Sequence, residues 1–138
     1  MNYYIINKLR RYPLSLTCIA VIWYLCLGTM PKTPLDDVSF IDKWVHVSMY
    51  CGTCLVIWTE YAVRHRRINW RRIAIGAWLA PIMMSGVIEL IQAYCTGGRR
   101  SGDWLDFAAN TTGTTLAALI GLIVIRCIKR RGEKSERQ

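Results

Sequence analysis

Four long apolar runs divide the chain: Pro13 to Met30, about Trp44 to Ala62, about Ile73 to Cys95, and Trp104 to Ile125. Each is close to the ~17 to 20 residues that cross ~30 Å of hydrocarbon at ~1.5 Å per residue. With no water to satisfy backbone groups at that depth, a spanning segment must be helical. The 138 residues, 53% of them hydrophobic, are thus spent on spans rather than on a globular core. The expected fold is all-α: a single four-helix transmembrane bundle occupying residues 1–138. In the first run, Lys8 to Arg11 followed by apolar residues imitates a signal peptide. Leu27-Gly28-Thr29-Met30 lacks the small-x-small cleavage pattern, so the run is read as a span.

Basic residues set the direction. Fourteen of the 18 Lys and Arg lie in the N-terminal arm (Lys8, Arg10, Arg11), the second connection (Arg64, Arg66, Arg67, Arg71, Arg72) and the C-terminal tail. The other two connections hold only Lys32 and Lys43, then Arg99 and Arg100, and they also contain acids. Short Lys/Arg-rich segments stay cytoplasmic, which places both termini and the second connection inside. The same distribution argues against nucleic acid as a partner, because the positive charge alternates with apolar runs instead of lining one polar face. All six cysteines lie in or beside the runs, which fits packing and not a secreted disulfide framework. Cys51-Gly52-Thr53-Cys54 has the redox and metal form but lies inside a span without a second pair, so it is read as structural.

The chemistry lies in residues a membrane helix normally excludes. Lys43, His46 and Tyr50, at i, i+3 and i+7, form one stripe on the second helix, with Asp42 beside it. Ser85, Glu89, Gln92 and Thr96 repeat at i, i+4, i+7 and i+11 on the third. Asp103, Asp106 and Asn110 begin the fourth and continue down the same face as Gly113, Ala117 and Gly121, small residues that let helices approach closely. Glu89 lies ~10 Å below the outer boundary by helical rise, where an unpaired carboxylate costs on the order of several kcal/mol. Its pKa is therefore expected to rise unless a cation is near, the candidates being Lys43, His46 and Arg100. Glu89, His46, Asp106 and Asn110 are expected to converge, with Arg100 above them, in one hydrogen-bonded pocket open to the outside. Pro81 is expected to bend the third helix and free the carbonyl of Ala77.

The pattern Asp42-Lys43-x-x-His46-x-x-x-Tyr50, then Glu89-x-x-Gln92, then Arg100 with Asp106, Asn110 and Gly113, resembles the VanZ-like membrane proteins, named for a teicoplanin-resistance factor. The likeness covers roughly residues 15 to 125. It implies a multi-pass protein of the bacterial cytoplasmic membrane related to envelope or antibiotic tolerance, and it supplies no mechanism. The leading expectation is a binding or modulating protein whose outward pocket engages a lipid-linked envelope precursor or a glycopeptide, alongside contact with membrane lipids. The alternative is an intramembrane enzyme using Glu89 or His46 as acid or base, with a divalent ion held by His46, Asp103 and Asp106. No HExxH, P-loop or Gly-x-Ser-x-Gly signature accompanies it, and no cofactor is implied. A homo-oligomer is left open, since four helices enclose little volume for a transporter.

Overall fold

A computed structural model describes residues 11–28, 40–65, 67–97 and 102–135. These residues form four helices and no strand: α1 (Pro13–Leu27), α2 (Ile41–Arg64), α3 (Trp70–Cys95) and α4 (Trp104–Ser135). Two of them, α3 and the Trp104–Cys127 part of α4, are long and apolar enough to cross a membrane. The other two depart from the expectation in different ways. α1 has 15 residues, ~22 Å at the helical rise, because Gly28 turns extended and its N–H closes the last turn on Tyr24. Met30, the expected end of that run, lies outside the described residues. α2 is long enough at 24 residues, but its buried face carries His46, Thr53 and Glu60 and is less apolar.

α2 and α4 make the most extensive pairing, with α3 packed on α4 and α1 on α2 and α3. The seam between α2 and α4 is built from small residues: Gly113, Ala117 and Gly121 are all buried. Two apolar clusters fill the interior. Ile22, Cys26, Tyr50 and Ile88 join α1, α2 and α3 in one; Trp58, Tyr61, Ile73 and Ala77 join α2 to α3 in the other, with Leu122 of α4 against them.

A π turn prepares the helix for Pro81. Residues Ile75–Leu79 form a π turn, and the Ala80 N–H bonds the carbonyl of Ile75 five residues back. The wider turn absorbs the donor that proline lacks without ending the helix. Together these helices bring the start of α2, the end of α3 and the start of α4 to one end of the bundle.

Candidate functional site

α2 contributes Lys43, His46 and Tyr50 from one face, in the expected register. The Lys43 ammonium bridges α4, bonding Asp103 Oδ2 at 2.6 Å and Asp106 Oδ1, with Asp42 Oδ2 at 3.5 Å on its own helix. His46, buried one turn below, has Nδ1 2.9 Å from Asn110 Oδ1. The Asn110 amide nitrogen donates to Ser85 Oγ on α3 at 2.8 Å. His46, Asn110 and Ser85 thus link three helices through one polar chain. Tyr50 is fully buried below them, its hydroxyl facing Ser85.

Asp103 has a second duty. It precedes α4, and its Oδ1 accepts the Leu105 N–H at 2.9 Å, capping the helix start. The Asp103 N–H itself donates to Glu89 Oε2 at 2.9 Å. The hydrogen-bond partner of Glu89 Oε2 is therefore a main-chain donor at a helix start, where such groups are left over; of the candidate cations, His46 lies near Glu89 and Arg100 falls outside the described residues. Lys43 is not free for Glu89 because Asp103 and Asp106 hold it. Glu89 Oε1 is buried with no partner among the described residues.

Of the expected site residues, Asp42, Lys43, His46, Tyr50, Glu89, Asp103, Asp106 and Asn110 come together. Gln92 does not join them: its Nε2 donates to the Cys26 carbonyl at 2.7 Å, tying α3 to the end of α1. Arg100 lies outside the described residues. Cys51 and Cys54 are free thiols, and Cys54 Sγ sits 3.7 Å from Thr114 Oγ1.

One interior polar site escaped the sequence reading. Glu60, near the far end of α2, accepts the N–H groups of Leu14 at 3.3 Å and Ser15 at 2.9 Å and the Ser15 hydroxyl at 2.6 Å. Tyr12 supplies no capping side chain to α1, so Glu60 caps that helix from a neighbour. The available signal was an acid inside an apolar run facing a Pro-x-Ser helix start without a cap of its own.

Electrostatically the described cluster is acidic, with Asp42, Asp103 and Asp106 around a single ammonium and Glu89 behind them. The hydrogen bond from Lys43, helped by the Leu105 N–H, holds the Asp103 carboxyl below the usual carboxylate range. A depressed folded-state pKa gives a contribution present above the unfolded value and lost as pH falls through the folded one. The Lys43–Asp103 link should therefore survive at neutral pH and down past ~3.9, the ordinary aspartate value. A carboxyl 13C titration should place the Asp103 midpoint below that, and Lys43→Gln should move it upward. An unchanged midpoint in the variant would mean the bridge is absent in solution.

Comparison with protein-family models, curated proteins and solved structures finds no match. The chemistry of the cluster therefore rests on its own atoms. Those atoms offer a positioned imidazole, a carboxylate with one bonded and one bare oxygen, and an acidic rim at the bundle end. Such a set can hold a cation, exchange a proton, or orient a polar headgroup.

Proposed function

We propose that this chain is a multi-pass protein of a bacterial cytoplasmic membrane whose polar cluster, opening to the outer side, binds the polar end of a lipid-linked envelope component and so modulates glycopeptide susceptibility. Membrane placement is supported by the alternation of basic segments along the sequence. It is supported too by the large apolar side chains turned outward on every helix, among them Leu14, Val21, Val45, Met83, Leu90, Leu119 and Ile123. In water so much exposed apolar surface would drive association; in lipid it is the expected exterior. In this reading both termini are cytoplasmic, and α1, the shortest helix, is matched by local thinning of the bilayer.

The observation that carries the ligand class is a shared wall. Tyr50 closes the inner side of the polar cluster and also lines an apolar crevice of about 230 Å³ between α1, α2 and α3, with Ile22, Ile57, Pro81 and Met84 around it. A headgroup on the cluster with its chain along that crevice uses both halves once the Tyr50 ring, buried between them, swings aside. The ligand that suits this arrangement is amphipathic, with a polar end on His46 and the carboxylates. The resemblance to VanZ-like proteins supports the link to glycopeptides.

A second reading, an enzyme acting on such a lipid, draws support from His46, whose Nδ1 is anchored while Nε2 faces carboxylate oxygens of Asp42 and Asp106. That is the posture of an oriented acid–base group. One strain set separates the two. A deletion strain should change in glycopeptide susceptibility and regain its phenotype with wild type but not with His46→Ala, while Glu89→Gln restores it only partly. A binding protein leaves the lipid-linked pool chemically unaltered, and an enzyme leaves unprocessed substrate in the deletion. Unchanged susceptibility and lipids in a clean deletion would overturn both.

A further inference from the structure

We propose that His46 Nε2, Asp42 Oδ1 and Asp106 Oδ2 form a binding site for a divalent transition-metal ion of the manganese or zinc class. The three ligand atoms lie within 4.8 Å of one another. His46 Nε2 is 3.8 Å from the Asp42 oxygen and 3.9 Å from the Asp106 oxygen. These gaps are too wide for direct hydrogen bonds, which close to ~3 Å. They are a few tenths of an ångström wider than the roughly 3.4 Å that separates ligands of a tetrahedral ion with ~2.1 Å bonds. The third pair, the two carboxylate oxygens, lies within 4.8 Å, so an inward turn of the Asp42 and Asp106 side chains would complete the site.

Two further features point to a cation. Asn110 donates to Ser85 through its amide nitrogen, so its oxygen is left to accept the hydrogen bond donated by the His46 Nδ1–H. That bond fixes the tautomer and leaves the Nε2 lone pair facing the two carboxylates, the arrangement in which a histidine ligand is held by its outer partner. Three carboxylates, those of Asp42, Asp103 and Asp106, surround the one Lys43 ammonium, and Glu89 Oε1, buried beside Asp103, His46 and Asp106, has no partner among the described residues. A divalent ion would offset most of the excess negative charge. Asp103, which the sequence suggested as a ligand, has both oxygens engaged, Oδ2 by Lys43 and Oδ1 by the Leu105 N–H, whereas Asp42 and Asp106 each turn one oxygen to His46, so Asp42 takes its place. An imidazole with two carboxylates favours manganese, iron or zinc over magnesium or calcium, which prefer oxygen alone.

This site stands on side-chain geometry and holds whether or not a lipid occupies the crevice. The test uses the full chain purified in detergent, with Mn²⁺ followed by electron paramagnetic resonance and Zn²⁺ as competitor; manganese avoids the free thiols. Wild type should take up one Mn²⁺ per chain, displaced by Zn²⁺. His46→Ala should weaken binding by about a hundredfold, and Asn110→Ala, which frees the imidazole, by about tenfold. Asp42→Asn should also weaken it by at least about tenfold; its side chain is 63% exposed, so this variant keeps the test independent of folding. Asp103→Asn, which changes a nearby carboxylate that is not a ligand, should weaken binding far less than Asp42→Asn, and an equal loss in the two would mean that the ion is held by charge alone and not by these three atoms. No stoichiometric ion, equal binding in wild type and Asp42→Asn, or 15N spectra with both His46 ring nitrogens protonated in the presence of the ion would each overturn the proposal.

Discussion

Gly113→Leu should separate α2 from α4 and abolish the folded bundle, and even Gly113→Ala should lower stability by about 1 to 3 kcal/mol, the cost of forcing a methyl into a filled interface. A Cβ at this position would collide with the Val47 carbonyl oxygen and lie 3.1 Å from the Cys51 nitrogen. Both are main-chain atoms of α2, so no rotamer change can relieve the contact. Gly121 repeats the constraint two turns on, where a Cβ would meet the Trp58 ring at 2.5 Å. The site depends on this approach: Asn110, one turn before Gly113, reaches His46, and Asp106, a further turn back, reaches Lys43. The comparison is Gly52→Ala, at which nothing lies within 4 Å of the added carbon; it should be neutral or slightly stabilising, by up to about 1 kcal/mol from helix propensity. Thermal unfolding in detergent measures all three. If Gly113→Ala and Gly52→Ala behave alike, α2 and α4 do not pack in this register.

The fate of Gly113 was readable because helical periodicity reports faces. Asp106, Asn110, Gly113, Ala117 and Gly121 fall on one stripe, and all are buried. The same arithmetic groups Lys43, His46 and Tyr50, and Ser85 with Glu89. Periodicity does not report which groups on two facing stripes become partners. Lys43 and Glu89 look complementary in sequence, yet Lys43 turns to α4, and Glu89 takes the main-chain donor that the start of α4 leaves over. Gln92 shares its stripe with Glu89 but lies far enough around the helix to meet the Cys26 carbonyl of α1. The π turn before Pro81 was equally out of reach: a proline demands that a donor be missing, and how the backbone rearranges around it depends on the neighbours packed around Ala77.

Glu60 shows the same limit at the opposite end of the bundle and carries the second large effect. Glu60→Ala should destabilise the protein by about 3 kcal/mol, the scale of losing charged hydrogen bonds while leaving buried donors unmet. Pro13 begins α1, and the next two N–H groups, on Leu14 and Ser15, belong to the set that a capping side chain normally satisfies. Glu60 accepts both and the Ser15 hydroxyl, with Arg64 at 3.7 Å on the outer side. Ser15→Ala removes only the hydroxyl bond and should cost about 1 kcal/mol. Glu60→Gln retains an acceptor oxygen but loses the charge, and it should fall between the two. Because Glu60 lies four helical turns from His46 along α2, the damage should be local to the start of α1. Amide exchange at Leu14 and Ser15 should accelerate, while the His46 ring signals stay where they are in the wild type. An Ala variant that melts with the wild type, or one that shifts His46 as much as it exposes Ser15, would show that α1 is not anchored by this carboxylate.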